Sequence, residues 1–221
     1  MDTNILNDYV WLLLAGIVTL VITAFKTGIS SFISDRIKKF LEKVIHSEFD
    51  GKKIGEEVDF VYKRLIELKV LTASNRVSVY RFHNGTVFLP SKPAWKISRT
   101  YEVCSDGISY EAQHFQNMMA MLVWDSVKAI FENKKSHYVE KLTKENINIY
   151  KYDVSKMDES YSKVLLRRHG IKQFLQIPLI IKEKVFGYIQ IDYVVNKNID
   201  FDMNAVYSKA SEISFYLGKD N

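Results

Sequence analysis

Apolar residues first gather into one unbroken run. From Tyr9 to Phe25 the chain reads YVWLLLAGIVTLVITAF, without a charge, bounded by Asp8 and Lys26, and Thr27, Gly28 and Ile29 extend it. A helix rising about 1.5 Å per residue covers roughly 25–30 Å over such a run, the thickness of a bilayer's hydrocarbon core. Tyr9 and Trp11 stand where the lipid–water interface would fall, and Phe25 closes the far end. A buried core helix is the bland alternative, but a helix apolar all round needs a domain to enclose it. A cleaved signal peptide would need Lys or Arg ahead of the run; residues 2–8 hold Asp2 and Asp8 and neither base. Lys26, Arg36, Lys38, Lys39 and Lys43 follow, so the positive-inside rule expects an uncleaved single-pass anchor in the bacterial inner (plasma) membrane, N-terminus out, with the remainder cytoplasmic.

The pattern then turns amphipathic. Between Ser31 and Glu48, Ile33, Ile37, Phe40 and Val44 recur at helical spacing, and Lys38, Lys39 and Lys43 are placed to meet anionic lipid head groups. Phe49-Asp50-Gly51 interrupts this stretch. A second helix follows, with Ile54, Val58, Val61, Leu65 and Leu68 again alternating four and three. Its seam suits either a dimerising stalk or packing on the domain's own sheet.

From Ala73 the period shortens. Arg76 to Phe82 (RVSVYRF) predicts a strand running into an Asn84-Gly85 turn, and Lys96 to Cys104 a second strand closed by Asp106-Gly107. Glu111 to Asn133 has helical spacing through Phe115, Met118, Met119, Leu122, Val123, Val127 and Ile130, while Ser136 to Lys151 fits neither period. Ser155 to His169 reads as a helix stopped by Gly170. Ile171 to Ile181 and Lys184 to Val194 read as strands around a Lys182-Glu183 turn, and Met203 to Leu217 as a closing helix capped by Gly218. The order implies an α+β fold, an antiparallel sheet covered by helices. The expected organisation is an anchor over 1–30, a basic amphipathic stalk over 31–53 and a cytoplasmic domain over 54–221.

Composition narrows the chemistry. The 221 residues are 47% hydrophobic and 26% charged with 3 Pro and 9 Gly, which excludes a disordered tail or a low-complexity linker. One cysteine, Cys104, cannot form an internal disulfide or a thiolate metal site and fits a reducing compartment. The net charge of +5 owes much to the basic residues after the anchor, so no nucleic-acid partner is expected. No phosphate loop, HExxH or GxSxG occurs, and the five histidines lack metal-ligand spacing. The expectation is a non-enzyme with no catalytic residue, metal site or cofactor.

The run LLRRHGIKQFLQIPLIIKEKVFGYIQIDYV (Leu165–Val194) resembles the closing half of a GAF domain: a helix leading through Gly-Ile into a strand with hydrophobic-Pro-Leu, a tight turn, and a strand opening on aliphatic-Phe-Gly. The resemblance extends over roughly Gly55 to Gly218 and implies a GAF-like antiparallel sheet flanked by helices. The FHNG element, Phe82–Gly85, also resembles small membrane-anchored GAF-like proteins of bacteria and their phages. GAF domains as a family bind small molecules between the sheet and its overlying loops and helices, and signal through terminal helices to a dimer partner. Their named chemistries do not match here. The cyclic-nucleotide signature has Val154 where its Phe belongs, between Asn133-Lys134 and Asp158-Glu159; Cys104 lacks the neighbouring His of bilin-binding members; and one cysteine is too few for a methionine-sulfoxide reductase.

His83 and His114 stand out among the histidines. A ligand pocket is expected from Phe82, His83 and Asn84 facing Trp95, Arg99 and Tyr101, which supply aromatic faces, a cation and hydrogen-bond groups. For His83 the bland alternative is capping of its own turn, for Trp95 packing on Pro90–Pro93, and for Met118, Met119 and Met121 core filling. The reading is a membrane-anchored sensor or regulatory protein, a homodimer, binding a small molecule or partner and acting on a separate output protein, since little chain follows Leu217. The alternative is a membrane-tethered interaction module without ligand, such as a phage-encoded modulator of host membrane or lysis functions.

Overall fold

In the computed structural model the described residues are 16, 51–88, 92–133, 136–144 and 147–219. The expected anchor residues Tyr9, Trp11 and Phe25 and the lipid-facing Lys38, Lys39 and Lys43 lie outside them. No helix among the described residues is long and apolar enough to cross a membrane. The unit Lys53–Asn221 is built from helix α1 (Gly51–Thr72), strands β1 (Arg76–Phe88), β2 (Lys92–Cys104) and β3 (Met118–Met119), helix α2 (Trp124–Glu132), strands β4 (Val139–Lys144) and β5 (Ile147–Asp153), helix α3 (Tyr161–Arg168), strands β6 (Gln173–Ile181) and β7 (Lys184–Tyr193), and helix α4 (Met203–Gly218). The strands form one antiparallel sheet in the order β3-β2-β1-β7-β6-β5-β4. This is the α+β architecture the sequence predicts.

Side chains alternate across a strand, and here both faces are covered. Val77 and Val79 of β1, Leu175, Ile177 and Leu179 of β6, and Ile189 and Ile191 of β7 make the first face with α1 and α4. Val61, Leu65 and Leu68 of α1 are fully buried there, so this part of the four-three seam packs on the domain's own sheet, while Ile54 is exposed. Helices α1 and α4 run side by side, antiparallel: Phe60 stacks on Tyr216 at 4.4 Å, Arg64 pairs with Glu212 at 2.5 Å, and Lys209 lies 3.4 Å from Glu67. The second face carries Tyr80, Tyr150, Tyr152, Phe174 and Tyr188 beneath α2 and α3.

Several local expectations change. Asn84-Gly85 is no turn: β1 continues to Phe88, Asn84 pairs with Trp95 and Phe88 with Lys92, and a register shift between Asn84 and Val87 absorbs the glycine as a bulge. The stretch Glu111 to Asn133 is not one helix but a 3-10 turn (Ala112–His114), β3, a second 3-10 turn (Ala120–Val123) and α2. Ser136 to Lys151 supplies the β4–β5 hairpin, and the helix before Gly170 starts only at Tyr161, where the Ser160 hydroxyl accepts from the Lys163 amide. Lys182 and Glu183 do form the β6–β7 turn, both at positive φ (46° and 65°), as a two-residue hairpin requires. Gly218 does not cap α4 in a left-handed conformation. It is the last helical residue, and a Cβ there would come within 2.5 Å of Ile181 Cδ1.

Gly187 is the tightest point of the sheet, since a Cβ would collide with the Tyr80 carbonyl of the neighbouring strand. Gly187→Ala is therefore expected to lower stability by at least about 2 kcal/mol through overpacking at a backbone that cannot retreat, read as a fall in the urea midpoint at unchanged slope. An unchanged midpoint would contradict the β1–β7 register.

Candidate functional site

The ladder decides which of the polar residues meet. A register shift at Thr100 places Arg99 opposite Tyr80 but Tyr101 opposite Val79. Arg99 therefore enters the second face and Tyr101 the first, where its hydroxyl donates to Glu57 at 2.6 Å and its ring meets Tyr62 edge-on at 5.8 Å. Phe82 joins the second face, 5.1 Å from Phe131 and 5.9 Å from Tyr188, and His83 Nε2 lies 2.9 Å from the Ser98 hydroxyl. Asn84 and Trp95 are backbone partners across the hairpin, with side chains outside the described set. Of the six residues expected to line one pocket, Phe82 and Arg99 thus share a face and Tyr101 lies on the other.

Around Arg99 the second face buries four charges, Arg76, Arg99, Glu102 and Asp192, each with at most 2% exposure. Removing one ion from water costs several kcal/mol unless it is paired and hydrogen-bonded. Here the pairing converges on Glu102. Its Oε1 is 2.5 Å from Arg99 Nη1 and 3.0 Å from Arg76 Nε, and its Oε2 accepts from the backbone amides of Glu111 and Ala112, both at 2.7 Å. Arg99 also donates Nε to the Tyr80 hydroxyl at 2.8 Å, and its guanidinium lies 4.1 Å from the Phe115 ring centre. Arg76 donates to the Ser109 carbonyl at 2.8 Å and lies 3.6 Å from Asp192, whose other oxygen accepts from Gln190 at 2.8 Å. Burial pushes the Asp192 carboxyl up against the pull of Arg99 and Arg76, and pushes the Tyr80 phenol up to about 12. The Ser78 hydroxyl and Gln176 Oε1, buried beside this cluster, have no hydrogen-bond partner among the described residues.

That cluster positions the segment above it. The Arg99 amide donates to the Phe115 carbonyl at 2.8 Å, the Ser98 hydroxyl accepts from the Asn117 amide at 2.8 Å, and Gln116 Nε2 donates to the Arg99 carbonyl at 2.7 Å. These bonds to β2, with Asn117 at φ 56°, replace the helix that the spacing suggested. Between this segment and α3 opens a cleft of ≈ 380 Å³, with Glu111, His114, Arg168 and His169 as its polar wall and Phe115, Met118, Tyr161 and Leu165 as its apolar wall. Phe115, Met118 and Leu165 also bound a cavity of ≈ 20 Å³ that reaches Tyr80, Tyr188 and Gln190, room for about one water. Met121 and Leu122 of the second 3-10 turn and Val164 of α3 are exposed apolar residues.

The polar wall centres on Glu111. Its Oε1 accepts from the Ser109 hydroxyl at 2.6 Å, and its Oε2 lies 3.5 Å from His169 Nδ1 and 4.0 Å from His114 Nε2. Burial works to raise its pKa, but the Ser109 hydrogen bond and the nearby His169 and Arg76 carry it below the usual carboxylate range. His169 is shifted down, chiefly by burial, with Arg99 adding to the effect and Glu111 opposing it. Among the described residues no three of His, Cys, Asp and Glu are placed to hold a metal ion. Of this wall only His114 stood out in sequence; Arg168-His169 precede the Gly-Ile of the LLRRHGI motif and read there only as a helix end.

No family model matches the chain, and neither does any curated protein. Solved structures do. The blue-light absorbing form of the PixJ GAF domain of Thermosynechococcus elongatus has a TM-score of 0.53 at 14% identity, over 75% of this chain and 86% of that one. The cyanobacteriochrome receptor PixJ gives 0.54 at 14%, over 76% and 99%. A phycocyanobilin-bound GAF domain from a cyanobacterial phytochrome gives 0.51 at 12%, over 76% and 90%. At these identities the likeness is one of fold, and the fold is GAF-like.

Two outcomes are expected. Arg99→Leu leaves the Glu102 carboxylate buried with half its cationic support, and should cost about 3–5 kcal/mol in chemical denaturation. His169, with a folded pKa below its ordinary 6.5, contributes stability that is complete above pH 6.5 and is lost as the pH falls through the folded value. Urea midpoints of the wild type should accordingly drop from pH 7.5 to pH 5.5 by more than those of His169→Gln; equal drops would refute the assignment.

Proposed function

We propose that this chain is a non-catalytic sensor with a GAF-like domain, which binds a small molecule in the cleft between the Glu111–Met118 segment and α3. The observation that carries the reading is the cleft itself: apolar on one wall, with four titratable side chains on the other, and sharing Phe115, Met118 and Leu165 as walls with the cavity at the sheet. Small-molecule sites combine apolar surface with a few placed polar groups, and this cleft offers both, its lining being more polar than apolar. Arg99 is buried and Phe82 partly buried, and neither lines the cleft itself. One structural neighbour is a phycocyanobilin-bound GAF domain, which supports a small-molecule ligand in this fold without fixing its identity or its place.

The reading extends to the rest of the chain. The Tyr9–Phe25 run serves as a single-pass inner-membrane anchor, Lys38, Lys39 and Lys43 sit at the lipid surface, and the domain is cytoplasmic. Occupancy of the cleft is relayed through α1 and α4, whose exposed apolar residues Ile66, Val70 and Phe215 suit a homodimer or a separate output protein. A second reading, an interaction module without ligand, draws on the exposed Met121, Leu122 and Val164, which would seat a protein partner instead.

Native mass spectrometry of the full-length protein in a membrane mimetic tests the choice. The sensor reading expects an extra mass that vanishes on denaturation and is absent from Leu165→Trp, which fills the cleft. A bare mass in the wild type, or the same extra mass in the variant, would remove the cleft as the ligand site.

A further inference from the structure

Resting on the sensor reading, we infer that the cleft takes a small zwitterion, an ammonium and a carboxylate carried on one apolar body, with Glu111 receiving the ammonium and Arg168 the carboxylate. Glu111 is the side of the cleft that asks for a cation. Its side chain is only 14% exposed, and its ion-pair partners among the described residues are two imidazoles, at 3.5 and 4.0 Å, long for hydrogen bonds. Oε1 is engaged by Ser109, so Oε2 is the oxygen turned toward a ligand. Glu111, its pKa lowered, is an anion at neutral pH, and the lowered pKa of His169 favours the uncharged form of the nearer imidazole there. An ammonium has three donors to distribute; it can reach Oε2 and an acceptor nitrogen of neutral imidazole while lying against the rings of Phe115 and Tyr161.

Arg168 shares the polar wall with Glu111. It ends α3 with its side chain exposed, and among the described residues it forms no ion pair, whereas Arg167 beside it pairs with Glu159 at 3.5 Å. A guanidinium left free at a cleft presents the planar fork that a carboxylate accepts with two hydrogen bonds. Met118 and Leu165 of the apolar wall, an unbranched thioether and an aliphatic side chain, suit an apolar body of amino-acid size in ≈ 380 Å³. A ligand with one charge only would engage one of the two groups and forgo the charge-assisted hydrogen bonds of the other.

Titration calorimetry on the full-length protein, with three probes that share a phenyl body, separates the terms: L-phenylalanine, phenethylamine (ammonium only) and 3-phenylpropionate (carboxylate only). L-Phenylalanine should bind at least about tenfold more tightly than either fragment. Glu111→Gln should weaken L-phenylalanine and phenethylamine by about tenfold and leave 3-phenylpropionate unchanged; Arg168→Ala, an exposed position safe for folding, should do the reverse. The proposal fails if 3-phenylpropionate binds as tightly as L-phenylalanine, if Arg168→Ala has no effect on either acid, or if no probe binds. Should no probe bind while the wild type releases a mass that Leu165→Trp lacks, the zwitterion falls and the sensor stands; should that mass also be missing, both fall.

Discussion

Two arginines and two amides share one carboxylate at Glu102, and the second face of the sheet is arranged around that sharing. A carboxylate so far from water is tolerable only when every lone pair is used. The requirement fixes Arg76 at the start of β1, Arg99 three residues before Glu102 on β2, and the Glu111–Ala112 backbone above them. The cleft follows from this. Its polar wall stands on the very residues whose amides Glu102 holds, and its apolar wall includes the Phe115 ring that roofs Arg99. A conventional apolar core at these positions would leave nothing to pin a segment of such irregular backbone.

The sheet separates two tasks. On the first face, Val, Ile and Leu from β1, β6 and β7 pack against α1 and α4, an apolar core edged by ion pairs such as Arg64–Glu212 between the two helices. The second face exchanges part of that apolar contact for a charged cluster and a row of tyrosines. Stability and recognition are thereby assigned to opposite sides of the same strands, and a change at the cleft has to pass through shared backbone to reach α1 and α4. Lys69 near the end of α1 donates to the Cys104 carbonyl at 2.9 Å, and the Ser105 amide donates to the Asn75 carbonyl at 2.8 Å, so the end of α1 and the start of the cleft segment are tied to one strand end.

Periodicity read the fold wherever a segment obeyed its own local pattern. Strands β6 and β7, the left-handed pair Lys182-Glu183 and helix α4 were legible because alternation, turn chemistry and helical spacing each extended over many residues. The reading failed where long-range bonds overrode local preference. Residues 111–123 have a helical pattern of apolar positions, yet the amide of Arg99 and the hydroxyl of Ser98 hold the chain open. Arg99 and Tyr101 stand two positions apart, yet the one-residue shift at Thr100 puts them on opposite faces, and no local signal in the sequence marks that shift. Glu111 and His169, 58 positions apart, are joined only by the return of the chain through α3, and no spacing rule contains that distance.

Charge neutrality within the buried cluster also bears on how such a chain can diverge. Two arginines and two acids cancel, so replacing one alone strands an opposite charge in the interior, whereas replacing a cation with an anion at the same time does not. The neighbours in sequence space that remain folded are therefore separated by double steps. Lineages descended from this chain should keep Arg76, Arg99, Glu102 and Asp192 or lose them in oppositely charged pairs, and the four positions should covary even where the rest of the sheet drifts freely.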